Sequence, residues 1–192
     1  LAKIKLCAEV PGGPTNDCPT GWTYDPRQPL GYYVEANDVL ATLAGCMSSD
    51  DYLPQTEVLQ LKYTVGPISP GSLNTGTVYM SGNPIENNMF IEGAANPPNA
   101  PVTGTVGVNV EVWEYLARIY YIGFSDDEPN LPALRRKNLE AGDPPEVTTE
   151  SGSIAEGVEF FHIQFGIDTT GDGTANYYTS NASGGKLTDI LA

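Results

Sequence analysis

Histidine, basic side chains and long apolar runs are all scarce in this 192-residue chain. The lone histidine is His162, and the three cysteines, Cys7, Cys18 and Cys46, form no C-x-x-C pair. A Cys/His zinc centre needs four good ligands, and a catalytic triad needs a nucleophile motif to go with its histidine. The sequence offers neither. Nine Lys and Arg stand against 24 Asp and Glu, a formal charge of −15. That balance repels a nucleic-acid phosphate track and an anionic lipid surface. Other proteins, divalent cations and neutral ligands are left as compatible partners. No window approaches the ~18 continuous apolar residues of a membrane helix. No signal-peptide pattern opens the chain, which starts at Leu1. It therefore reads as a processed or excised form from which any native membrane segment has been removed.

The polar, Gly/Pro/Asn/Thr-rich make-up with little Lys fits an exported protein, where a disulfide is expected. Cys7–Cys18, around PGGPTND, is the most local closure and leaves Cys46 free. It contributes about 3 kcal/mol if unstrained. Cys18–Cys46 and Cys7–Cys46 are the competing pairings.

What the chain has in quantity is turn formers: 21 Gly and 16 Pro punctuate it throughout, so long helices are few. One short helix is expected in EANDVLATLAG, with Asp38 as cap and Val39, Leu40 and Leu43 on one face. Period-two alternation predicts strands in EVLQLKYTV, at about 77–80 and 88–92, in TVGVNVEVW, ARIYYIGF and ALRRKNL, and in GVEFFHIQFGI with ANYYTS returning. The expected architecture is one α+β domain over 1–192, a head dominated by antiparallel sheet with long loops and little helix. Residues 1–54 form its loop-rich part and 55–180 its β-rich core. Leu59, Leu61, Tyr63, Val108, Val110, Phe161, Ile163 and Phe165 are expected inside, because a one-residue slip would put them in water.

The stretch FGIDTTGDGTANYY carries the most specific chemistry. A D-x-[DN]-x-[DN]-G calcium loop places oxygens at positions 1, 3, 5, 7 and 9. Here these are Asp168, Thr170, Asp172, Thr174 and Asn176, but position 12 is Thr179, so the bidentate Glu is absent. Two readings stand: a Ca²⁺ site with two certain carboxylates, or a plain Gly/Asp hairpin connection. His162, mid-strand among aromatics, is expected to be structural. The acids of DDE (126–128) form no glycosidase pair by motif. RRK at 135–137 puts Arg135 and Lys137 on one strand face and Arg136 on the other, where salt bridges are the expected use. Trp22, Tyr24, Tyr32 and Tyr33 form either a sugar-stacking platform or a loop packed on its own aromatics. NAS at 181–183 is a glycosylation sequon.

The segment IAEGVEFFHIQFGIDTTGDGTANYY closely resembles the C-terminal signature of PilW-type minor pilins of bacterial type IV pili. Glu156, Gly157, Val158, Glu159, Gln164, Gly166, Asp168, Gly171, Asp172 and Gly173 match it. VWEYLARIYYIGFSDDEPNLPALRRKNL resembles the family's paired strands and QTEVLQLKYTV an earlier one, so the likeness runs over 55–178. The resemblance implies a pilin-like head and a non-enzymatic subunit with no catalytic residue or required cofactor. It implies a role in priming or assembling a pilus and in adhesion at its tip. The implied partners are other minor and major pilin subunits. The implied location is the cell-surface pilus and periplasm, anchored in the inner membrane before assembly. The family's leader and long N-terminal helix are not in these residues, so the membrane is met only through a helix this piece lacks. The minor pseudopilins of type II secretion share the same plan. A secreted calcium- or carbohydrate-binding module and an exported hydrolase are the rivals from other classes.

Overall fold

The computed structural model describes residues 16–17, 21–23, 29–33, 43, 45–68, 73–82, 87–91, 111–141 and 146–180. Ten strands follow one another: β1 (Leu30–Tyr33), β2 (Val58–Ile68), β3 (Val78–Gly82), β4 (Asn87–Ile91), β5 (Glu111–Phe124), β6 (Pro132–Glu140), β7 (Glu146–Thr149), β8 (Ala155–Glu156), β9 (Phe165–Ile167) and β10 (Tyr177–Thr179). No helix occurs among the described residues. The helix expected in EANDVLATLAG lies outside them apart from Leu43 and Gly45, as do Val108 and Val110. What is described is antiparallel β structure.

Eight strands make one sheet in the order β1-β2-β5-β3-β4, with β6 also on β5 and β7 and β8 on β6. The spine is β5. Its β-branched and aromatic run, EVWEYLARIYYIGF, suits a strand with neighbours on both edges. One edge of β5 carries β2, from Leu59↔Tyr120 to Ile68↔Val112, with a register shift between Val65 and Ile68. The other edge is shared end to end, by β6 over Arg118–Phe124 and by β3 over Glu111–Glu114. β1 and β7 lie where the alternation predicts no strand. β9 and β10 form a separate two-stranded ribbon.

The deep face of the sheet holds the core. Val58, Tyr115, Ala117, Ile119, Tyr121 and Val147 pack there with Trp22, Leu43, Cys46, Met47 and Tyr52 from the loop-rich first part. Gly123 allows that loop its closest approach, since a Cβ there would collide with the Asp51 carbonyl. The Leu53 amide donates to Ile122 O nearby, at 2.8 Å.

On β2 the expected burial is corrected. Val58 and Gln60 are fully buried and Lys62 nearly so, whereas Leu59 and Leu61 are half-buried and Tyr63 is exposed. The alternation is real, but the deep face is the one bearing the polar residues. The Tyr33 hydroxyl donates to Gln60 Oε1 at 3.3 Å, and Lys62 Nζ donates to the Trp22 carbonyl while lying over the indole ring. Partnered in this way, a buried amide and ammonium escape the desolvation cost that would otherwise send them outward. Cys46 is disulfide-bonded, which corrects the expectation of a free Cys46; Cys7 and Cys18 lie outside the described residues.

Candidate functional site

The C-terminal stretch from Gly157 to Ser180 concentrates the sequence signature, and it leaves the sheet at a definite point. β8 is the last rung, with Ala133↔Glu156, and the Gly157 amide donates to Pro132 O at 2.8 Å. Gly157 has φ +72°, a conformation that favours glycine, and from there the chain turns off the ladder. Over the following residues Phe161, Ile163 and Phe165 are half-buried and Ile167 is buried, while Phe160, His162, Gln164 and Gly166 face solvent. That is the period of an extended chain, with the parity read from sequence.

Glu57 fixes this segment to the sheet. One residue ahead of β2, it is 8% exposed. Its Oε2 accepts the Ile163 amide at 2.9 Å and its Oε1 lies 2.6 Å from His162 Nδ1. Phe165 meets the buried Tyr32 edge-on at 5.3 Å. Burial, and then the neighbouring Glu57 carboxylate, push the Tyr32 hydroxyl well above the usual phenol range. His162 thus has a structural partner.

The loop between β9 and β10 joins adjacent antiparallel strands, with Ile167↔Tyr177 and Phe165↔Thr179 in register. Inside it Asp168 acts as a hub. Its Oδ1 accepts the Thr170 and Gly171 amides at 3.0 and 2.7 Å and the Thr170 hydroxyl at 3.2 Å. Its Oδ2 accepts the Gly173 amide at 2.7 Å. These donors, Gly173 foremost, hold the carboxyl below the ordinary aspartate range. Asp172 Oδ1 accepts the Thr174 amide at 2.8 Å, and Asn176 Oδ1 accepts the Thr169 amide and hydroxyl at 2.7 and 2.8 Å. Of the five expected calcium ligands, Asp168, Thr170 and Asn176 are brought together, with the Thr170 hydroxyl 3.5 Å from Asn176 Oδ1. Asp172 is occupied with Thr174. No group of three His, Cys, Asp or Glu suited to a metal occurs among the described residues.

The basic cluster is used structurally. Arg135 grips Asp126 through two nitrogens, at 2.7 and 2.9 Å, and this holds the aspartate below its ordinary range. Arg136 pairs with Glu150 on the opposite face. Lys137 donates to Thr149 Oγ1 at 2.7 Å and lies 3.8 Å from Asp51, while burial lowers its ammonium's pKa. A cleft of about 400 Å³ opens between Asp51, Tyr121, Asp126 and Arg135, but its cations are already committed to these partners. Of the four aromatics proposed for sugar stacking, Trp22 and Tyr32 are buried, Tyr33 is half-buried, and Tyr24 lies outside the described residues with the sequon. Sequence reasoning missed Glu57: a lone carboxylate before a strand carries no pattern that announces a distant partner.

No helix among the described residues is long and apolar enough to cross a membrane. No curated protein and no solved structure matches the chain significantly. Residues 119–189 match the family model of PilW, the type IV pilus-assembly protein W. The likeness read over 55–118 lies outside the matched residues. The matched segment holds the end of β5, all of β6 to β10 and the Asp168 loop, and over it the chain is similar to PilW-type pilus proteins.

Proposed function

We propose that the chain is a non-enzymatic minor pilin subunit that primes or assembles a type IV pilus through contacts with other pilus subunits, outside the cytoplasm. The observation that carries this reading is the PilW match over 119–189. The antiparallel sheet with long loops is consistent with a pilin head, and the side chains with the most chemical potential are consistent with scaffold work. Arg135, Lys137 and Glu57 are each engaged in holding loops and strands together. A part in adhesion at the fibre tip is consistent with the exposed Phe160, Tyr177 and Tyr178.

Deletion of the gene in its host tests the reading. Surface pili, counted by electron microscopy, should be lost or strongly reduced and should return with the full-length gene. Normal pili in the deletion strain would overturn it. The same strain decides the nearest rival, since loss of a minor pseudopilin leaves pili intact and blocks protein secretion.

A further inference from the structure

The extended segment 158–164 belongs to no ladder. Among the described residues its backbone groups bond to no other backbone group, and only the Ile163 amide is capped, by Glu57. Its geometry indicates which edge is open. Asn176 donates to Ile167 O at 2.8 Å, so Ile167 turns its carbonyl toward β10. Main-chain groups of alternate residues point to opposite edges of a strand. Ile163 and Phe165 therefore share the β10 side with Ile167. Phe160, His162, Gln164 and Gly166 present their N–H and C=O groups on the far edge, over about 20 Å at ~3.3 Å per residue.

Natural edges are usually blunted by proline, lysine, a bulge or a cover. Residues 158–166 contain no proline and no lysine, and Glu159 is the single charge of fixed sign. The edge is also held in place, by Glu57, by the Tyr32–Phe165 contact and by three half-buried side chains. A segment already held by such contacts loses less entropy on pairing than a free chain would.

We infer that this far edge receives an extended segment of a partner chain by strand addition, and that the segment is basic. Main-chain pairing supplies the affinity and alternate side chains the selectivity. Phe160, 72% exposed, offers one apolar contact beside the edge. Glu156 and Glu159 are exposed on or next to this segment, and the chain as a whole carries −15, so an added strand bearing Lys or Arg is attracted and a second copy of this chain is repelled.

The inference concerns this edge and does not depend on the pilus reading. Its test uses immobilised twelve-residue peptides in three sets: tiles of the other pilus subunits of the same organism, designed Thr/Val peptides with alternating Lys, and the same designs with Glu for Lys. Basic peptides from the first or second set should bind, and the Glu designs should not. Hydrogen exchange should then show new protection at the amides of Phe160, His162, Gln164 and Gly166. Gln164→Pro removes one edge donor and should weaken binding about tenfold, while Gln164→Thr, which keeps the N–H, should bind as the native chain does. Binding by the designed Lys peptides alone would uphold the edge and count against pilus subunits as its partner. The inference is overturned if no peptide binds, if protection appears elsewhere, or if a folded Gln164→Pro variant binds like the native chain.

Discussion

The eight-stranded sheet and the C-terminal ribbon are made of similar residues and held by different forces. In the sheet, Tyr121, Ile119 and Val58 are buried against loops drawn from the first third of the chain. In the ribbon, Tyr177 and Tyr178 are 52% and 68% exposed, and order comes from the carboxylates of Asp168 and Glu57 collecting backbone amides. Apolar burial fixes the first region and charge-assisted hydrogen bonds fix the second. The two should therefore fail separately.

Truncating one aromatic or aliphatic side chain in each region should give the largest difference between them. Ile119→Ala, at 1% exposure in the spine, should cost about 2–5 kcal/mol. Tyr178→Ala, with its ring largely in water, should stay within about 0.5 kcal/mol. Urea denaturation followed by tryptophan fluorescence measures both. Equal losses would mean that the ribbon is held by apolar burial as much as the sheet is.

A smaller and more local effect is expected at the joint between the regions. Glu57→Ala leaves the Ile163 amide and His162 without their acceptor, a loss of about 1–3 kcal/mol. Amide exchange should rise over 158–167 while β2 and β5 stay protected. Uniform loss of protection would show instead that Glu57 supports the sheet itself.

Sequence reading reached the strands of the sheet more readily than its faces. The alternation in VLQLKYT, ARIYYIGF and ALRRKNL located β2, β5 and β6 because each is a long β-rich run. The same alternation named the wrong deep face on β2, since Gln60 and Lys62 become buried only with partners contributed from Tyr33 and Trp22. β1 and β7 escaped because each has only four residues and lies next to glycine- or proline-rich loop. The hairpin at 168–176 was legible because Gly171 and Gly173 do adopt positive φ, at 74° and 83°. Glu57, which positions the whole ribbon, lies 105 residues from His162, and no local pattern spans that gap.

Acid should separate the regions next. Asp126, gripped by Arg135, and Asp168, collecting the Gly173 and Gly171 amides, both have folded pKa values below the unfolded ~3.9. A depressed carboxylate stabilises the fold above the unfolded value, and that contribution is lost as pH falls through the folded value. Both contributions should therefore be complete at neutral pH and disappear below about pH 4. Asp168→Asn should remove the acid dependence of exchange at 169–176 and leave that of the Asp126 corner unchanged. A single acid transition, identical in both places and insensitive to Asp168→Asn, would merge the regions into one unit.

The smallest expected effect concerns calcium at the ribbon loop. Asp168, Thr170 and Asn176 already bring three oxygens together, which is the start of a hard-cation site. The loop's own N–H groups compete for the same lone pairs: Asp168 accepts from three amides, and Asp172 is turned to Thr174. A metal would have to displace some of these donors and draw Asp172 inward, with Thr174 O completing the set. The affinity we propose is therefore at the weak end for extracellular modules, about 10⁻³ M. At an equal concentration of Ca²⁺ the stabilisation is then only ~0.4 kcal/mol. Titration calorimetry at millimolar Ca²⁺ should show a small heat, and Asp172→Ala should abolish both that heat and the rise in melting temperature while leaving the metal-free fold as it is. If native protein gives no heat and no melting shift at ~10 mM, about ten times the proposed dissociation constant, the metal is removed from the description. The loop would then be closed entirely by the hydrogen bonds that converge on Asp168.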